Sequence, residues 1–373
     1  MVKHRTIIGS KSIIHLKKYL KGNIKVFLLT GKKSFKKCGA FEFIKSMSSV
    51  NFTHIIDVSN KIIELDEAIK IKNLLKESES EVIVAIGGGG VIDMAKLVNI
   101  LLFNNYEKVS FLKKYKSIKQ EFLPLYVLPT TSGTGSEETS FATVFYKNKK
   151  YSINHPNLIP TLSIVDPDLT FSLPSYVTAC SGFDALSQCI ESYWSISSTN
   201  KSRNYSVKGM KLITKNIVNA TLKNSKFAKH EMAIAANLSG KAINISKTTA
   251  PHSLSYEITR KLGIPHGHAV SLLLGKFFLI NNSIKSIRKP LNMKIKQNRE
   301  KKIFKYLSAK SAYEAHKKWY KLMNTCGLKT DFTKLGLRNK KNIKLFVDNV
   351  NVERLKNHPI ILNKKALESV FMD

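Results

Sequence analysis

The chain has 373 residues, with 61 lysines and arginines against 26 acids, giving a formal net charge of +35. It is too long for one ordinary domain, and its 43% of hydrophobic residues is enough to fill two sizeable cores. No apolar run reaches the ~18 residues a membrane-spanning helix needs, and the polar start through His4 and Arg5 argues against a secretory leader.

Charge this high favours nucleic acid or an anionic surface when it is clustered. Here lysine is spread along the whole chain, arginine is sparse, and no DNA- or RNA-binding motif accompanies them. A composition rich in lysine, isoleucine and asparagine is what biased codon usage gives, so no nucleic-acid partner and no membrane are expected. The densest basic stretch, Lys285 to Lys365, reads as solvated helical faces. Cys38, Cys180, Cys189 and Cys326 form no CxxC pair and no disulfide framework, and are expected to be reduced thiols of a cytoplasmic protein.

In chain order, short apolar runs at Lys25–Thr30, His54–Asp57, Val82–Ile86 and Leu125–Leu128 read as buried strands. The segments between them, such as Glu64–Ser78, are long enough for crossover helices, which predicts an α/β domain with a mostly parallel sheet. Phe141–Tyr146 and Tyr151–Ile153 predict a hairpin added to that sheet, and Ile164–Leu169 a hinge. From Pro174 onward the pattern becomes helical, at 176–196, 203–219, 229–247 and 267–281. The organisation expected is therefore an α/β dinucleotide-binding domain over 1–174 and an all-helical domain over 175–373, with the active cleft between them.

Three stretches carry chemistry. Gly87, Gly88, Gly89 and Gly90 follow a strand and open a helical pattern, where glycines let a backbone approach a pyrophosphate at a helix N-terminus. The run is not GxGxxG, and taken alone it fits a tight strand-to-helix turn as well. Thr130, Thr131, Ser132, Gly133, Thr134 and Gly135 form a second loop of small hydroxyl residues. The third stretch runs from Ser181 to Gly267. Asp184, His252 and His266 are a hard carboxylate and two imidazoles, a ligand mix that suits a divalent transition metal. Asp184 and Gln188 are four apart, as are His252 and Tyr256, and on a helix each pair shares one face. His266, between Pro265 and Gly267, sits in a turn signature.

Together, Ala85–Lys96, Leu128–Thr139, Ser181–Tyr193, Ala250–Tyr256 and Gly263–Ala269 resemble the iron-containing, group III alcohol dehydrogenase family, over roughly residues 20 to 275. The resemblance implies that the glycine run binds the cofactor pyrophosphate, that Asp93 and Lys96 match family positions in the helix start, and that the loop from Thr130 to Thr134 lies beside the nicotinamide. It implies a homodimer, and hydride transfer between a nicotinamide and a carbonyl polarised by Fe²⁺ or Zn²⁺. After the first strand, where NAD-preferring members often place a carboxylate, stand Lys32 and Lys33, which favours NADPH over NADH without excluding the latter.

The departures are as informative. The family's metal set is an Asp, a His four residues later, and two further His; here the second position is Gln188. Three readings stay open: three strong ligands with a weak Gln or water, a different metal, or a metal-independent site of the maleylacetate reductase type. Tyr256, where many members carry His, is either a proton relay or a packed aromatic, and His268 is either a second relay or a support for the turn.

The segments Phe183–Thr199, Gly240–His252 and Thr30–Phe35 further resemble the phosphonoacetaldehyde reductase branch. This implies reduction of a small anionic aldehyde to an alcohol, with Lys247, Lys241 and Arg203 available to its acid group. The alternatives are a general small-aldehyde or polyol dehydrogenase, a metal-dependent lyase of the dehydroquinate synthase type, a basic nucleic-acid-binding protein and an inactive relative.

Overall fold

The computed structural model describes residues 4–58, 62–103, 108–114, 121–147 and 149–372. It divides into two compact units, Met1–Leu173 and Pro174–Asp373.

The first unit carries β1 (Arg5–Ile8), β2 (Lys25–Gly31), β3 (Asn51–Val58), β4 (Val82–Gly87), β5 (Leu125–Pro129), β6 (Phe141–Tyr146), β7 (Lys149–Asn154) and β8 (Leu162–Val165). Its helices are α1 (Leu16–Tyr19), α2 (Ser34–Lys37), α3 (Ala40–Lys45), α4 (Leu65–Glu77), α5 (Gly89–Leu102) and α6 (Lys108–Lys114). Six strands form a parallel sheet in the order β1-β8-β5-β4-β2-β3. Val26 to Gly31 and Val82 to Gly87 are buried without interruption, as expected of strands covered on both faces. Alternate side chains feed two cores: Phe27, Leu29, Ile83 and Ala85 on one side, Val26, Leu28, Val82 and Val84 on the other.

The sheet differs from the sequence expectation in three places. β1 and β8, four residues each, pair with one another and extend the sheet beyond β5; their apolar runs are too short to stand out. Of the hinge expected at Ile164–Leu169, Ile164 and Val165 are the end of the buried strand β8, and Pro167–Thr170 is a single 3-10 turn whose Asp166 cap accepts from the Asp168 N–H. The hairpin of β6 and β7 forms its own two-stranded sheet instead of joining the main one. It is tied to the rest of the unit at the bridge between Phe145 and Glu64.

The second unit is helical: α7 (Ser175–Trp194), α8 (Asn200–Leu222), α9 (Lys226–Ser246), α10 (Ala250–Leu262), α11 (His266–Ser283), α12 (Met293–Tyr306), α13 (Ala312–Thr325), α14 (Lys340–Asp348), α15 (Val352–Lys356) and α16 (Lys364–Ser369). Side chains that accept first-turn N–H groups start many of them, with Thr199, Ser225, Asn292, Ser311, Asn339, Asn351 and Asn363 at the caps. α7 is the axis of the unit. Phe183 and Trp194 are buried on it, and Phe183 packs edge-on to Trp319 of α13 at 5.3 Å. The lysine-rich C-terminal helices turn Ile303, Phe304, Trp319, Met323, Ile343 and Phe346 into the core; Lys296 of α12 departs from the solvated face expected of these lysines, being buried against Glu300. All four cysteines are free, and no described helix is long and apolar enough to cross a membrane.

Candidate active site

In the first unit the chemistry-bearing loops leave the carboxyl ends of three adjacent parallel strands, where α/β sheets bind ligands. β4 lies between β2 and β5, with Thr30 paired to Ile86 and Gly87 to Pro129. Gly88 caps α5, whose first turn carries no acid of its own to compete for the N–H groups that a helix leaves unbonded at its start. The Thr130 N–H donates to the Gly87 carbonyl at 2.9 Å, joining the hydroxyl loop to the glycine turn. A Cβ on Gly89 would run into the Thr134 side chain, so the backbone there admits no substituent. Thr130 and Ser132 are buried, Thr131 and Thr134 half-buried. The Thr130 hydroxyl is buried with no hydrogen-bond partner among the described residues, an orphan polar atom in the cradle. These features fit a bound pyrophosphate.

Asp93 and Lys96 turn elsewhere. The Asp93 carboxylate accepts from the Ser136 hydroxyl at 2.5 Å and the Thr143 N–H at 3.0 Å. Lys96 is fully buried and donates to the carbonyls of Ser136, Thr139 and Phe141 at 2.6, 2.8 and 3.2 Å. Burial pulls its ammonium down to about 8, against the opposing pull of Asp93, Glu137 and Glu138. Both residues therefore brace the hydroxyl loop against α5. Lys32 is exposed just past β2. The carboxylate missing from that position stands one strand over, where Asp57 of β3 accepts from the Thr30 hydroxyl at 2.6 Å.

The second site lies around α7. Asp184, Gln188 and Glu191, spaced by four and three residues, form one polar stripe on a helix otherwise packed in apolar core. All three are buried, which costs free energy unless each finds a partner. Asp184, His252 at the start of α10 and His266 at the start of α11 bring ligand atoms within 4.8 Å of one another. Nε2 of His252 lies 3.4 Å, and Nε2 of His266 3.9 Å, from Asp184 Oδ1. Each ring uses Nδ1 elsewhere: His252 on Glu191 Oε2, and His266 at 3.4 Å from the Ser255 hydroxyl. A carboxylate that orients the far nitrogen of an imidazole is the arrangement expected behind a metal ligand.

Glu191 was not singled out from the sequence, although its spacing from Gln188 was the available signal. Its Oε1 accepts from the Thr249 N–H and hydroxyl, each at 2.9 Å. Burial alone would lower the His252 imidazole; the Glu191 and Asp184 carboxylates outweigh it and raise the pKa to about 9. Gln188 donates through Nε2 to Asp184 Oδ2 at 3.3 Å and accepts from the Ser239 hydroxyl at 2.9 Å. It thus sits in the pocket with its amide nitrogen toward Asp184.

His266 begins a helix rather than lying in a turn, and the glycine after it serves close approach: a Cβ on Gly267 would overlap the Cys180 carbonyl and meet Asp184 Cβ at 2.8 Å. Tyr256 stacks on His266 at 5.7 Å between ring centres. Burial pushes its hydroxyl pKa up, opposed by the Arg354 guanidinium and by a hydrogen bond with Thr248. His268 has both nitrogens engaged, with Tyr176 Oη at 3.0 Å and the Lys329 carbonyl at 2.7 Å, and burial lowers its pKa. That arrangement favours the supporting role over the relay. Arg203 spends its guanidinium at the start of α8, on Ser198 and Asn200. Lys247, half-buried, donates to the Asn244 carbonyl at 3.3 Å.

Two family descriptions match in tandem: iron-containing alcohol dehydrogenase over residues 3–167, and the C-terminal part of the Fe-containing alcohol dehydrogenase family over residues 178–373. Alcohol dehydrogenase 4 of Saccharomyces cerevisiae is 35% identical over 205 residues, 54% of this chain and 53% of that protein. Phosphonoacetaldehyde reductase of Streptomyces viridochromogenes is 29% identical over 229 residues, 59% of this chain and 58% of that protein. The chain spans about half the length of the curated relatives it matches. Sulfoacetaldehyde reductase of Bifidobacterium kashiwanohense, solved with NAD⁺, shares the fold at a TM-score of 0.83 and 24% identity, covering 100% of this chain and 98% of that one.

Proposed function

We propose that this chain, which belongs to the iron-containing alcohol dehydrogenase family, reduces a small anionic aldehyde to its primary alcohol with NADH or NADPH. The observation that carries the reading is the convergence of Asp184, His252 and His266 within 4.8 Å, backed by Glu191. One carboxylate and two imidazoles fit Fe²⁺ or Zn²⁺, and Gln188 stands beside them with its amide nitrogen toward Asp184 and its oxygen held by Ser239. When bound, the metal supplies a Lewis acid for the aldehyde oxygen, and the nicotinamide a hydride for its carbon.

The chain's own residues do the rest. Gly87–Gly90, Thr130, Thr131, Ser132 and Thr134 hold the dinucleotide, with Lys32 or Asp57 meeting the adenosine ribose. Glu191 holds the tautomer and aim of His252. Tyr256, whose ring stacks on His266, is the residue we assign to give a proton to the product oxygen. Arg354, whose charge acts on Tyr256, and Lys247 are the cations we assign to a phosphonate or sulfonate substituent.

Lys247 is singled out by its backbone, at φ 61° and ψ 176°, a region non-glycine residues rarely occupy outside functional sites. The names of the two relatives, phosphonoacetaldehyde and sulfoacetaldehyde reductase, support an aldehyde with a tetrahedral acid group. Phosphonoacetaldehyde, giving 2-hydroxyethylphosphonate, is the substrate we favour. Lys247→Ala tests the anion contact: KM for phosphonoacetaldehyde should rise about tenfold or more, the loss of one charged hydrogen bond, with KM for acetaldehyde unchanged. Equal effects on both substrates would remove Lys247 from the substrate contact.

A further inference from the structure

We propose that Asn357 is a positioning residue for the metal site: it clamps Lys247 in a conformation suited to glycine and so fixes the turn that aims Glu191 at His252. The consequence for metal binding rests on the proposed function; the clamp itself rests on geometry alone.

α9 ends at Ser246 and α10 begins at Ala250, so the three residues between them decide where His252 sits. Lys247 is the unusual one, with the positive φ described above and no relief from the lack of a Cβ. The carbonyls on either side of it, of Ser246 and Thr248, both accept from the Asn357 side-chain amide, at 2.7 and 2.9 Å. A carboxamide has two donor hydrogens, and each is spent here. Its oxygen accepts from the Ser197 N–H at 3.2 Å and the Asn357 backbone carbonyl from the Ile196 N–H at 3.1 Å. Asn357 is buried and thereby joins the segment after α7 to the α9–α10 joint.

The joint then passes its position on. Thr249 offers its N–H and hydroxyl to Glu191 Oε1, the Trp194 indole N–H donates to the same hydroxyl at 2.9 Å, and Glu191 Oε2 engages His252 Nδ1. Ser246 adds a hydroxyl contact to Ser192 of α7 at 2.7 Å. An Asn357 side chain lost from this chain leaves two buried carbonyls without their donor and frees Lys247 to relax to negative φ, which rotates the Thr248–Thr249 backbone away from Glu191.

The test is a cycle of Asn357→Ala, Lys247→Gly and the double variant, read in the full chain by urea midpoint and by Co²⁺ affinity from chelator competition. Asn357→Ala should lower the midpoint and weaken Co²⁺ by about tenfold or more, the scale of losing a group behind a metal ligand. Because glycine adopts the required backbone unaided and has no strain to release when the two carbonyl hydrogen bonds are lost, the same substitution in the Lys247→Gly chain should cost more in midpoint than in the parent, yet restore most of the Co²⁺ affinity. Should Asn357→Ala fail to fold, the Co²⁺ affinity of the double variant carries the test. An equal or smaller cost in the Lys247→Gly chain, a double variant that does not fold or does not regain Co²⁺ affinity, or unchanged Co²⁺ affinity in Asn357→Ala overturns the proposal. A parent protein that binds no Co²⁺ sinks the metal reading instead, while the urea cycle still decides the clamp.

Discussion

Gly267→Ala is the smallest change that probes how the proposed metal site is assembled. The new methyl would lie 2.8 Å from Asp184 Cβ and 3.0 Å from the Cys180 carbonyl carbon, and would overlap the carbonyl oxygen. Carbon atoms pack best at about 3.5–4.0 Å, so the start of α11 must retreat from α7 by roughly 1 Å. His266 is the residue before Gly267 and must move with it. Overpacking of this kind costs about 1–3 kcal/mol, and metal ligands tolerate only about 0.2 Å of misplacement. The variant should therefore remain folded with a reduced urea midpoint, lose metal affinity by about tenfold or more, and lose turnover by about a hundredfold. Chelator competition and steady-state kinetics on metal-loaded protein measure both. A Gly267→Ala protein with the parent's metal affinity would refute the claim that close α7–α11 contact sets the position of His266.

Glu191→Gln keeps the shape but removes the charge behind His252, and should weaken metal by about 10–100-fold; an unchanged dissociation constant would leave Glu191 a purely structural acid. The His252 pKa, raised from 6.5 to about 9, gives a pH signature. A raised pKa stabilises the metal-free protein fully below about 6.5 and loses that contribution as pH climbs through about 9. The thermal midpoint of the metal-free protein should thus fall across that window, while metal affinity rises by up to about tenfold per pH unit as the competing proton leaves. Flat profiles for both would contradict the charge state assigned to His252. Gly89→Ala should drive a methyl into Thr134 and weaken dinucleotide binding at a cost of about 1–3 kcal/mol; titration of cofactor fluorescence reads the loss, and an unchanged dissociation constant would remove the Gly89–Thr134 approach from the dinucleotide cradle.

Sequence spacing carried much of this site because its chemistry is periodic. Asp184 and Gln188 share a face of α7, and the turn after β4 is announced by four consecutive glycines. Glu191 escaped notice because an acid in a helical run ordinarily faces solvent, and only packing reveals that this face is buried. Gly267 reads as a turn residue in sequence; its reason is close approach to Cys180 and Asp184 of α7, a helix distant in sequence, and no local pattern encodes that. Asn357 lies in the C-terminal hundred residues, where no motif stands out, and acts by bonding two carbonyls of a distant joint. In the sheet, the long apolar runs of β2 and β4 were plain, whereas β1 and β8 are four residues each and depend on pairing with one another. Gln188 shows the limit of residue identity: the sequence says that an amide replaces an imidazole, and the structure adds that it hydrogen-bonds Asp184 and Ser239.

The central claim, a metal-dependent reductase of anionic aldehydes, is tested most directly by initial rates of NADH and NADPH oxidation. Phosphonoacetaldehyde, sulfoacetaldehyde and acetaldehyde should be compared with protein stripped of metal and protein reloaded with Fe²⁺ or Zn²⁺. The account predicts turnover only after reloading, with phosphonoacetaldehyde preferred in kcat/KM and acetaldehyde the poorest of the three. Equal rates with and without metal, or no preference for the charged aldehydes, would contradict it.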